Sequence, residues 1–412
     1  MQLLYLIFVY LYLIAIKIAS LFNTKAKKWC DGRRAIFTKI ADVIGQDKST
    51  RIWFHCASLG EFEQGRPIIE RIKKQYPNYK IVLTFFSPSG YEVRKNYEGA
   101  DYIFYLPLDT IGAASKFIEL IKPKVVFFVK YEFWFGYLNQ LKIKNIPTYL
   151  VSGIFREKQH FFKPYGLWFR KQLSAFTHFY LQDKNSENLL HKIGYKNTMV
   201  SGDTRFDRVF EISRTVKPNI LLDEFCKNKL VFIAGSTWSE DEKIIMSSVS
   251  LFDNYKIIIA PHEVDEKHIF SIEQSLKNKT TFIRYSKAIP NNISNAQVLI
   301  IDNIGMLSSL YQYASIAYIG GGFGKGIHNV LEPATFALPI IFGPNYKKFA
   351  EATELIDLGA AFPIQSTTDF KYILNELFNS SKRNEAALVS EKYVHSKVGA
   401  TETIVSSVQI TG

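Results

Sequence analysis

The chain has 412 residues, too many for a single compact core, which indicates two or three domains. Hydrophobic residues make up 47% and charged residues 22%, a composition that excludes a disordered protein. The formal net charge of +13 predicts an anionic partner, such as nucleic acid, an anionic membrane surface or a phosphorylated substrate. Because no zinc finger, RNA-binding signature or long Lys/Arg block occurs, no nucleic acid is expected. Three distant cysteines without a CxxC pair predict neither a disulfide framework nor a structural zinc site.

The N-terminus carries an apolar and aromatic run over residues 3–16, which Lys17 interrupts before it continues to Phe22. A spanning helix needs about 20 apolar residues, so the run suffices when the Lys17 amine reaches the interface. Basic residues follow, which by the positive-inside rule places the rest of the chain in the cytoplasm: Lys25, Lys27, Lys28, Arg33, Arg34 and Lys39. Residues 1–22 are therefore predicted to be an inner-membrane anchor on the cytoplasmic face, favouring anionic lipid. A buried helix is the alternative, and a spanning or one-leaflet position stays open.

The remainder alternates short apolar runs with helical patterns, for example over residues 66–75 and 111–121. Continuous apolar strands separated by helices indicate parallel sheets covered on both faces. The strands are expected at 51–56, 80–86, 101–107, 124–130, 147–153, 178–183 and 197–203, and in the second half at 229–236, 255–262, 281–286, 297–302, 315–322 and 339–344.

A polar segment over residues 203–228, which contains Pro218, separates the two halves. It predicts an N-terminal domain over 23–205 and a C-terminal domain over 206–412, whose last helix returns to the first domain. The fold class is α/β, with two doubly wound Rossmann-like domains. Tandem domains of this kind imply a cleft, with ligands at the carboxyl ends of the strands.

The first candidate site motif, Ser58 to Glu61, directly follows a predicted strand. Gly60 permits close backbone approach, and the next helix presents free N–H groups to an anion. Glu61 can deprotonate an attacking hydroxyl as a general base. A glutamate in the first turn of a helix is also a common partner of the helix dipole, and this alternative stays open.

The second motif is glycine-rich and runs from Gly320 to Gly326, between a strand and a helix. That context predicts a phosphate cradle of backbone N–H groups around Gly321 and Gly322. The segment lacks the closing Lys-Ser/Thr of a Walker A motif. A turn needed only for packing is the alternative, although polar groups crowd the same turn at His328, Asn329 and Glu332.

Further polar residues end other strands of the second half, at Ser236 and Thr237, at Pro261 and His262, and at 302–305. Each group alone is typical of a helix cap or a turn, but together they predict one ligand site. Arg205 stands near the domain boundary, where a cation can stabilise a leaving phosphate or form a surface ion pair.

With these motifs in this order, the chain resembles the transferases that move 3-deoxy-D-manno-octulosonic acid (Kdo) from CMP-Kdo to the lipid A precursor. The resemblance covers nearly the whole chain. The motifs that carry it are the anchor, Ser58 to Glu61, Ser87-Pro88-Ser89-Gly90, Tyr131-Glu132-Phe133-Trp134, Gly202 to Asp207, Ala234 to Thr237, Gly320 to Pro333, Phe342-Gly343-Pro344 and Phe349-Ala350-Glu351.

The resemblance implies a GT-B fold, an acceptor-binding first domain and a CMP-binding second domain. It implies Glu61 as the general base and Arg205 as a transition-state cation, with Glu132 and Lys130 as further catalytic candidates. The segments expected to contact CMP are Pro261 and His262, Ile304, Gly305 and Met306, and Asn329, Val330, Leu331 and Glu332.

Three positions depart from the family's pattern. The family often carries an acid where Lys130 stands. The usual Pro-Arg-His reads Pro261-His262-Glu263, which replaces a guanidinium by an imidazole and predicts pH-dependent nucleotide binding. Met306 replaces a common glutamate.

The resulting prediction is an inverting Kdo transferase of lipopolysaccharide synthesis, acting on the phosphorylated lipid A precursor (lipid IVA) without metal or other cofactor, because helix dipoles and cations can stabilise a leaving monophosphate. Two alternatives remain. One is another GT-B enzyme that uses a UDP-sugar, either a transferase or a 2-epimerase. The other is a non-catalytic membrane protein that keeps the fold.

Overall fold

The computed structural model describes residues 1–410. The chain divides into two compact units. Unit 1 comprises Met1–Arg208 and the C-terminal stretch that starts at Gly399, and unit 2 comprises Val209–Val398. The division falls three residues beyond the boundary expected from the sequence, inside a helix, and the last stretch of chain belongs to unit 1.

Unit 1 contains a seven-stranded sheet in the order β3-β2-β1-β4-β5-β6-β7, and its assigned strand pairs are parallel. The strands are β1 (Arg51–Cys56), β2 (Lys80–Phe85), β3 (Tyr102–Tyr105), β4 (Pro123–Val129), β5 (Thr148–Gly153), β6 (His178–Leu181) and β7 (Thr198–Val200). Both faces are apolar: Trp53 lies in one hydrophobic cluster and its neighbours Ile52 and Phe54 lie in the other. The sequence therefore reads as continuous apolar runs, as expected for a sheet covered on both sides.

The helices of this part of the chain are α1 (Gln2–Ala19), α2 (Thr24–Arg33), α3 (Ile36–Ile44), α4 (Leu59–Gln75), α5 (Pro88–Arg94), α6 (Ile111–Ile121), α7 (Phe135–Ile143), α8 (Leu167–Leu173), α9 (Lys184–Lys192) and α10 (Thr204–Thr215). Pro67 lies inside α4, while Pro88 opens α5 at a position where its missing N–H costs no hydrogen bond. The crossing helices cover the two faces of the sheet and place the loops after the strands at its carboxyl edge.

Unit 2 repeats the architecture with seven parallel strands in the order β10-β11-β9-β8-β12-β13-β14. They are β8 (Leu230–Thr237), β9 (Tyr255–Pro261), β10 (Phe282–Arg284), β11 (Val298–Ile300), β12 (Ile316–Ile319), β13 (Ile340–Phe342) and β14 (Ala361–Pro363). The last strand was not expected from the sequence, because three residues between two helices give too short an apolar run.

The helices of unit 2 are α11 (Ile220–Cys226), α12 (Ser239–Met246), α13 (Glu266–Leu276), α14 (Pro290–Ile293), α15 (Leu307–Leu310), α16 (Leu331–Thr335), α17 (Ala350–Asp357), α18 (Thr367–Phe378) and α19 (Ser380–His395). The chain then re-enters unit 1 with α20 (Ala400–Ser407), which packs on α4. The Asp207 carboxylate fixes this return by accepting hydrogen bonds from the N–H groups of Gly399 and Thr401, both at 2.6 Å.

Helix α1 packs one face against unit 1 and leaves the other exposed. The Tyr5 hydroxyl donates a 2.5 Å hydrogen bond to buried Asp109, and Tyr12 packs edge-on against Trp29. The exposed apolar side chains include Leu3, Leu4, Ile7, Phe8, Leu11, Ile14 and Ile18. The helix is long and apolar enough to cross a membrane, and the alternative of a buried N-terminal helix is wrong because this face is uncovered.

Candidate functional site

The order of the first sheet reverses between β1 and β4, so the loops after these two strands diverge at its carboxyl edge. Open α/β sheets bind ligands at such a switch point. Residues 57–61 follow β1, and residues 130–134 follow β4. The sequence candidates Ser58, Gly60, Glu61, Lys130 and Glu132 all belong to these two loops.

Glu61 lies in the first turn of α4 and is only 7% exposed. Its carboxylate accepts a short hydrogen bond from the hydroxyl of Ser58, the residue that precedes the helix. A Cβ atom added to exposed Gly60 would meet only the Ser58 Oγ atom, at 3.8 Å. The packing of the protein therefore does not require glycine at position 60, and the expected close approach of a ligand there stays a prediction.

Lys130 directly follows β4 and has a left-handed backbone, at φ 74°, which turns the chain sharply after the strand. Burial lowers the pKa of its amine, while the Glu61 carboxylate opposes this effect and the Arg205 guanidinium adds to it. Burial likewise raises the pKa of Tyr131, with a further contribution from Glu61 and Glu132. The structure thus brings Glu61, Lys130, Glu132 and Arg205 into one electrostatic group within unit 1.

Glu132 is held by a buried polar chain. The indole N–H of Trp134 donates to its Oε2 atom at 2.7 Å, and the Nε2 atom of His55 lies 3.6 Å from the same oxygen. The Nδ1 atom of fully buried His55 is 2.9 Å from the hydroxyl of Thr84, which also accepts the Trp53 indole N–H at 2.8 Å. The Trp134 hydrogen bond fixes the Glu132 carboxylate, while the Thr84 hydroxyl orients the His55 ring beside it.

Arg205 is paired with a neighbouring acid. Its Nε and terminal nitrogen lie 2.8 and 2.7 Å from the Oδ2 atom of buried Asp203. Asp203 also accepts the Gln64 amide at 3.3 Å, which ties it to α4. The Arg205 guanidinium is one third exposed, and the ion pair with Asp203 orients it. Its positive charge contributes to the lowered pKa of Lys130.

In unit 2 the order of strands changes direction around β8 and β12, and the glycine-rich segment follows β12. Three N–H groups of the expected cradle are not free for a phosphate: that of Gly321 donates to buried Asp241 at 2.9 Å, and those of Gly324 and Gly326 donate to the Gly321 carbonyl. Gly322 is explained by packing, since an added Cβ would lie 2.6 Å from the backbone nitrogen of Gly343.

Three rings meet beside this segment. His262 stacks on Trp238 with centroids 4.6 Å apart and packs on His328 at the same distance. The Trp238 indole N–H points at the Nε2 atom of His328, 3.2 Å away. Burial and the neighbouring His262 both lower the pKa of His328.

The three segments expected to contact CMP are joined within unit 2. The contact between His262 and His328 links the Pro261 segment to the one that begins at Asn329. Glu332 accepts hydrogen bonds from Asn329 at 3.1 Å and from Ser308 at 2.7 Å. Ser308 closely follows Met306, so its bond to Glu332 connects the segment of Ile304, Gly305 and Met306 to the segment that begins at Asn329. In the former segment, Ile304 is exposed and Gly305 has a φ of 96°.

Other candidates lie in less accessible positions. Thr237 is fully buried and its hydroxyl donates to Glu242 at 2.9 Å, so the expected ligand role of this side chain is wrong. Ser236 is half-buried with a φ of 53°. Val330 and Leu331 bury their side chains, and the Leu331 N–H donates to Asn329 Oδ1 at 3.0 Å.

Five residues that make these contacts were not expected from the sequence: Trp238, His55, Thr84, Ser308 and Asp241. Trp238 follows a strand directly and could have been found by its position. The others become recognisable only through partners that are distant in sequence, such as the contact between Gly321 and Asp241.

Comparison with known proteins finds the same description in a family model and in individual relatives. Residues 32–208 match the family described as 3-Deoxy-D-manno-octulosonic-acid transferase (kdotransferase). The chain is 27% identical over 346 residues to a 3-deoxy-D-manno-octulosonic acid transferase of Haemophilus influenzae, covering 81% of this chain and 80% of that protein. It is also 27% identical over 339 residues to a transferase of the same description from Aquifex aeolicus, covering 80% of this chain and 87% of that protein.

Solved structures agree on the fold. The UDP-GlcNAc 2-epimerase of Neisseria meningitidis bound to UDP-GlcNAc superposes with a TM-score of 0.61 at 14% identity, covering 87% of this chain and 99% of that one. MurG of Acinetobacter baumannii superposes with a TM-score of 0.55 at 13% identity, covering 88% of this chain and 100% of that one. At these identities the likeness establishes the two-domain α/β architecture, as expected for GT-B.

Proposed function

We propose that this chain, a glycosyltransferase of the Kdo transferase family, moves Kdo from CMP-Kdo to a lipid A precursor by an inverting displacement. The observation that carries the proposal is the group formed by buried Glu61, Lys130 and Arg205 at the switch point of the first sheet. It combines a base that can accept the proton of a hydroxyl with two cations that can stabilise negative charge on a leaving phosphate.

In the proposed reaction, the Glu61 carboxylate takes the proton of an acceptor hydroxyl. The hydroxyl oxygen forms a bond to the anomeric carbon of Kdo on the face opposite the phosphate. The bond between that carbon and the phosphate oxygen breaks, and CMP leaves with the electron pair. Arg205 stabilises the charge on the departing phosphate, while Glu132, held by Trp134, positions groups of the substrate. The reaction is proposed to need no metal.

The donor is proposed to bind to unit 2 through the three joined segments. Glu332 is fixed by Ser308 and Asn329, so its carboxylate is oriented to accept hydrogen bonds from ribose hydroxyls. His262 supplies the polar group that replaces the family's guanidinium. If these segments bind CMP, the protein should be stabilised against heat by CMP and not by UDP. Equal protection by UDP would instead favour the UDP-sugar alternative.

The acceptor is proposed to come from the membrane on which α1 lies. Contacts of Tyr5 and Tyr12 with unit 1 run along one side of the helix, while its opposite side is apolar and exposed. Because the rest of unit 1 packs along this length of α1, the arrangement does not fit a helix that crosses the hydrocarbon alone. It fits a helix in the plane of one leaflet, on the cytoplasmic face, with basic residues near anionic headgroups.

Glu61→Gln tests the proposal, with Glu63→Gln as the matched control two residues along the same helix. Glu63 is one third exposed and pairs with Arg94 at 2.8 Å, so its loss should alter activity little. We expect Glu61→Gln to bind CMP normally but to transfer Kdo roughly 10²- to 10⁴-fold more slowly. Transfer at a rate close to that of the control would overturn the assignment of Glu61 as the base.

A further inference from the structure

A cavity of about 800 Å³ in unit 1 is lined by residues of α1, α2 and α3, and we call it the α1–α2 cavity. Part of its lining is apolar and includes Leu13, Phe37 and Leu108. The lining also contains four basic side chains and one acidic side chain, which are Lys17, Lys27, Arg33, Arg34 and Asp31. This volume lies in the range of small-molecule sites, about 300–1,000 Å³, and the lining combines apolar surface with an excess of positive charge.

Arg33, the last residue of α2, carries a positive charge that no acid compensates. Its guanidinium donates hydrogen bonds to the backbone carbonyls of Leu106, Phe86 and Trp29, at 2.9, 2.8 and 3.2 Å. These bonds use three of its five N–H groups, and the Trp29 ring lies 3.9 Å from its centre. Arg33 forms no salt bridge in the described part of the chain, and burial lowers its pKa to about 9. The group is still charged at neutral pH, so only carbonyl dipoles and aromatic faces balance a buried cation.

Other groups at the α1–α2 cavity also lack a partner. The indole N–H of Trp29, a lining residue that is only 3% exposed, has no hydrogen-bond acceptor among the described residues. The amines of Lys17 and Lys27 form no ion pair with residues 1–410, whereas Arg34 pairs with Asp31 at 3.2 Å. The cavity therefore offers hydrogen-bond donors together with positive charge, and a phosphate group supplies both acceptor oxygens and negative charge.

The apolar part of the lining indicates what carries the anion. Leu13 and Lys17 belong to α1, whose outer face is apolar and exposed, so the cavity adjoins the helix that is proposed to lie in the membrane. A soluble anion would leave Leu13 and Phe37 in contact with water, whereas an acyl chain would cover them. Residues 57–61 and 130–134 do not line the cavity, so its lining is distinct from the proposed reaction site.

We propose that the α1–α2 cavity binds one anionic membrane phospholipid, with its phosphate at Arg33 and part of an acyl chain against Leu13 and Phe37. This lipid is distinct from the acceptor, and it occupies a defined site, unlike the lipids that a basic surface attracts in general. Because it contacts α1, α2 and α3 together, it should hold the anchor helix on unit 1. Its binding is independent of Kdo transfer, since no bond of the lipid is made or broken.

The first test follows thermal unfolding of the full chain in non-ionic detergent while one of three probes is added. The probes are dihexanoyl phosphatidylglycerol, which is anionic, dihexanoyl phosphatidylcholine, which has the same chains and no net charge, and inorganic phosphate at matched ionic strength. We expect phosphatidylglycerol to raise Tm until the site is saturated, and the other two probes to bind at least about tenfold more weakly. Equal stabilisation by either of these two, or no stabilisation by phosphatidylglycerol, would overturn the proposal.

The second test compares Lys27→Ala with Lys28→Ala, which separates a defined site from general attraction to a basic surface. The two lysines are exposed neighbours on α2, but only Lys27 lines the cavity. We expect Lys27→Ala to weaken phosphatidylglycerol binding about fivefold and Lys28→Ala to leave it unchanged. Equal weakening in both variants would refute the site. This pair is preferred to Arg33→Gln, because the loss of three hydrogen bonds to carbonyls can unfold that variant.

The third test is competition with lipid IVA, which distinguishes the proposed occupant from the acceptor. We expect lipid IVA at equal concentration to leave fluorescent phosphatidylglycerol bound to the full chain. Displacement by lipid IVA would identify the cavity as part of the acceptor site and would overturn the proposed occupant. Normal binding of phosphatidylglycerol without any transfer of Kdo would instead overturn the proposed function and leave the lipid site standing.

Discussion

Thr84→Val removes one hydroxyl from the polar chain behind Glu132 while keeping the shape of the side chain. The hydroxyl accepts the Trp53 indole N–H at 2.8 Å and bonds the Nδ1 atom of His55 at 2.9 Å, and all three residues are fully buried. Each of these two groups would lose a partner that water cannot replace. An unsatisfied buried polar group costs about 1–3 kcal/mol, so the loss of a partner at two groups should cost the variant about 2–6 kcal/mol of unfolding free energy.

The assay is urea denaturation of the full chain, followed by tryptophan fluorescence, with Thr84→Ser as the matched control. Serine keeps the hydroxyl and loses only a methyl group, so it should cost about 1 kcal/mol. Kdo transfer should also fall in the valine variant, because His55 no longer holds its orientation toward Glu132. If the valine variant is as stable as the wild type to within about 0.5 kcal/mol, the reasoning is refuted, because the hydroxyl then satisfies neither group.

Further predictions concern ligand approach, the CMP segments, the membrane and metals. Gly60→Ala should melt like Gly112→Ala, because an added Cβ makes only an ordinary contact at position 60 and none within 4 Å at position 112, but it should lose at least about tenfold in transfer. Ser308→Ala removes the 2.7 Å hydrogen bond to Glu332 and should weaken CMP binding about tenfold in calorimetry, roughly 1.4 kcal/mol. Ile7→Asp places a charge on the exposed face of α1 and should shift the protein from anionic vesicles to the supernatant in sedimentation. Treatment with EDTA should leave the transfer rate unchanged, and recovery of lost activity by added Mg²⁺ would contradict the proposed metal-free reaction.

The elements of the fold were predictable because burial on both faces leaves continuous apolar runs. The strand over Arg51–Cys56 and the helix over Ile111–Ile121 occur at the residues expected. The short strand Ala361–Pro363 was missed because three residues give too little pattern to separate it from its flanking helices.

The candidate site was predictable only at the ends of strands. Glu61 could be singled out because it follows a strand, and Glu132 through the family resemblance, yet nothing in their local sequence points to His55 or Thr84. That chain of contacts depends on the parallel register of neighbouring strands, in which His55 lies opposite Thr84. In the glycine-rich segment, the local sequence predicted a ligand contact that a distant residue makes instead. Its composition suggested a phosphate cradle, whereas Asp241, distant in sequence, already occupies the Gly321 N–H.

The position of the anchor also needed the structure. Hydropathy gives a helix of sufficient length, but length does not distinguish a helix that crosses the bilayer from one that lies in a leaflet. The hydrogen bond between Tyr5 and Asp109 holds the helix along the surface of unit 1, and this contact supports the proposed position in one leaflet.

The most direct test of the central claim is mass spectrometry of lipid IVA after incubation with CMP-Kdo and the full chain in anionic vesicles. The account predicts that the acceptor gains the mass of one or more Kdo residues, that CMP appears in equal amount, and that Glu61→Gln abolishes both changes on the same timescale. An acceptor whose mass stays unchanged in the presence of the folded wild-type protein would contradict the proposed transfer. A gain of mass only from a UDP-sugar would also contradict it.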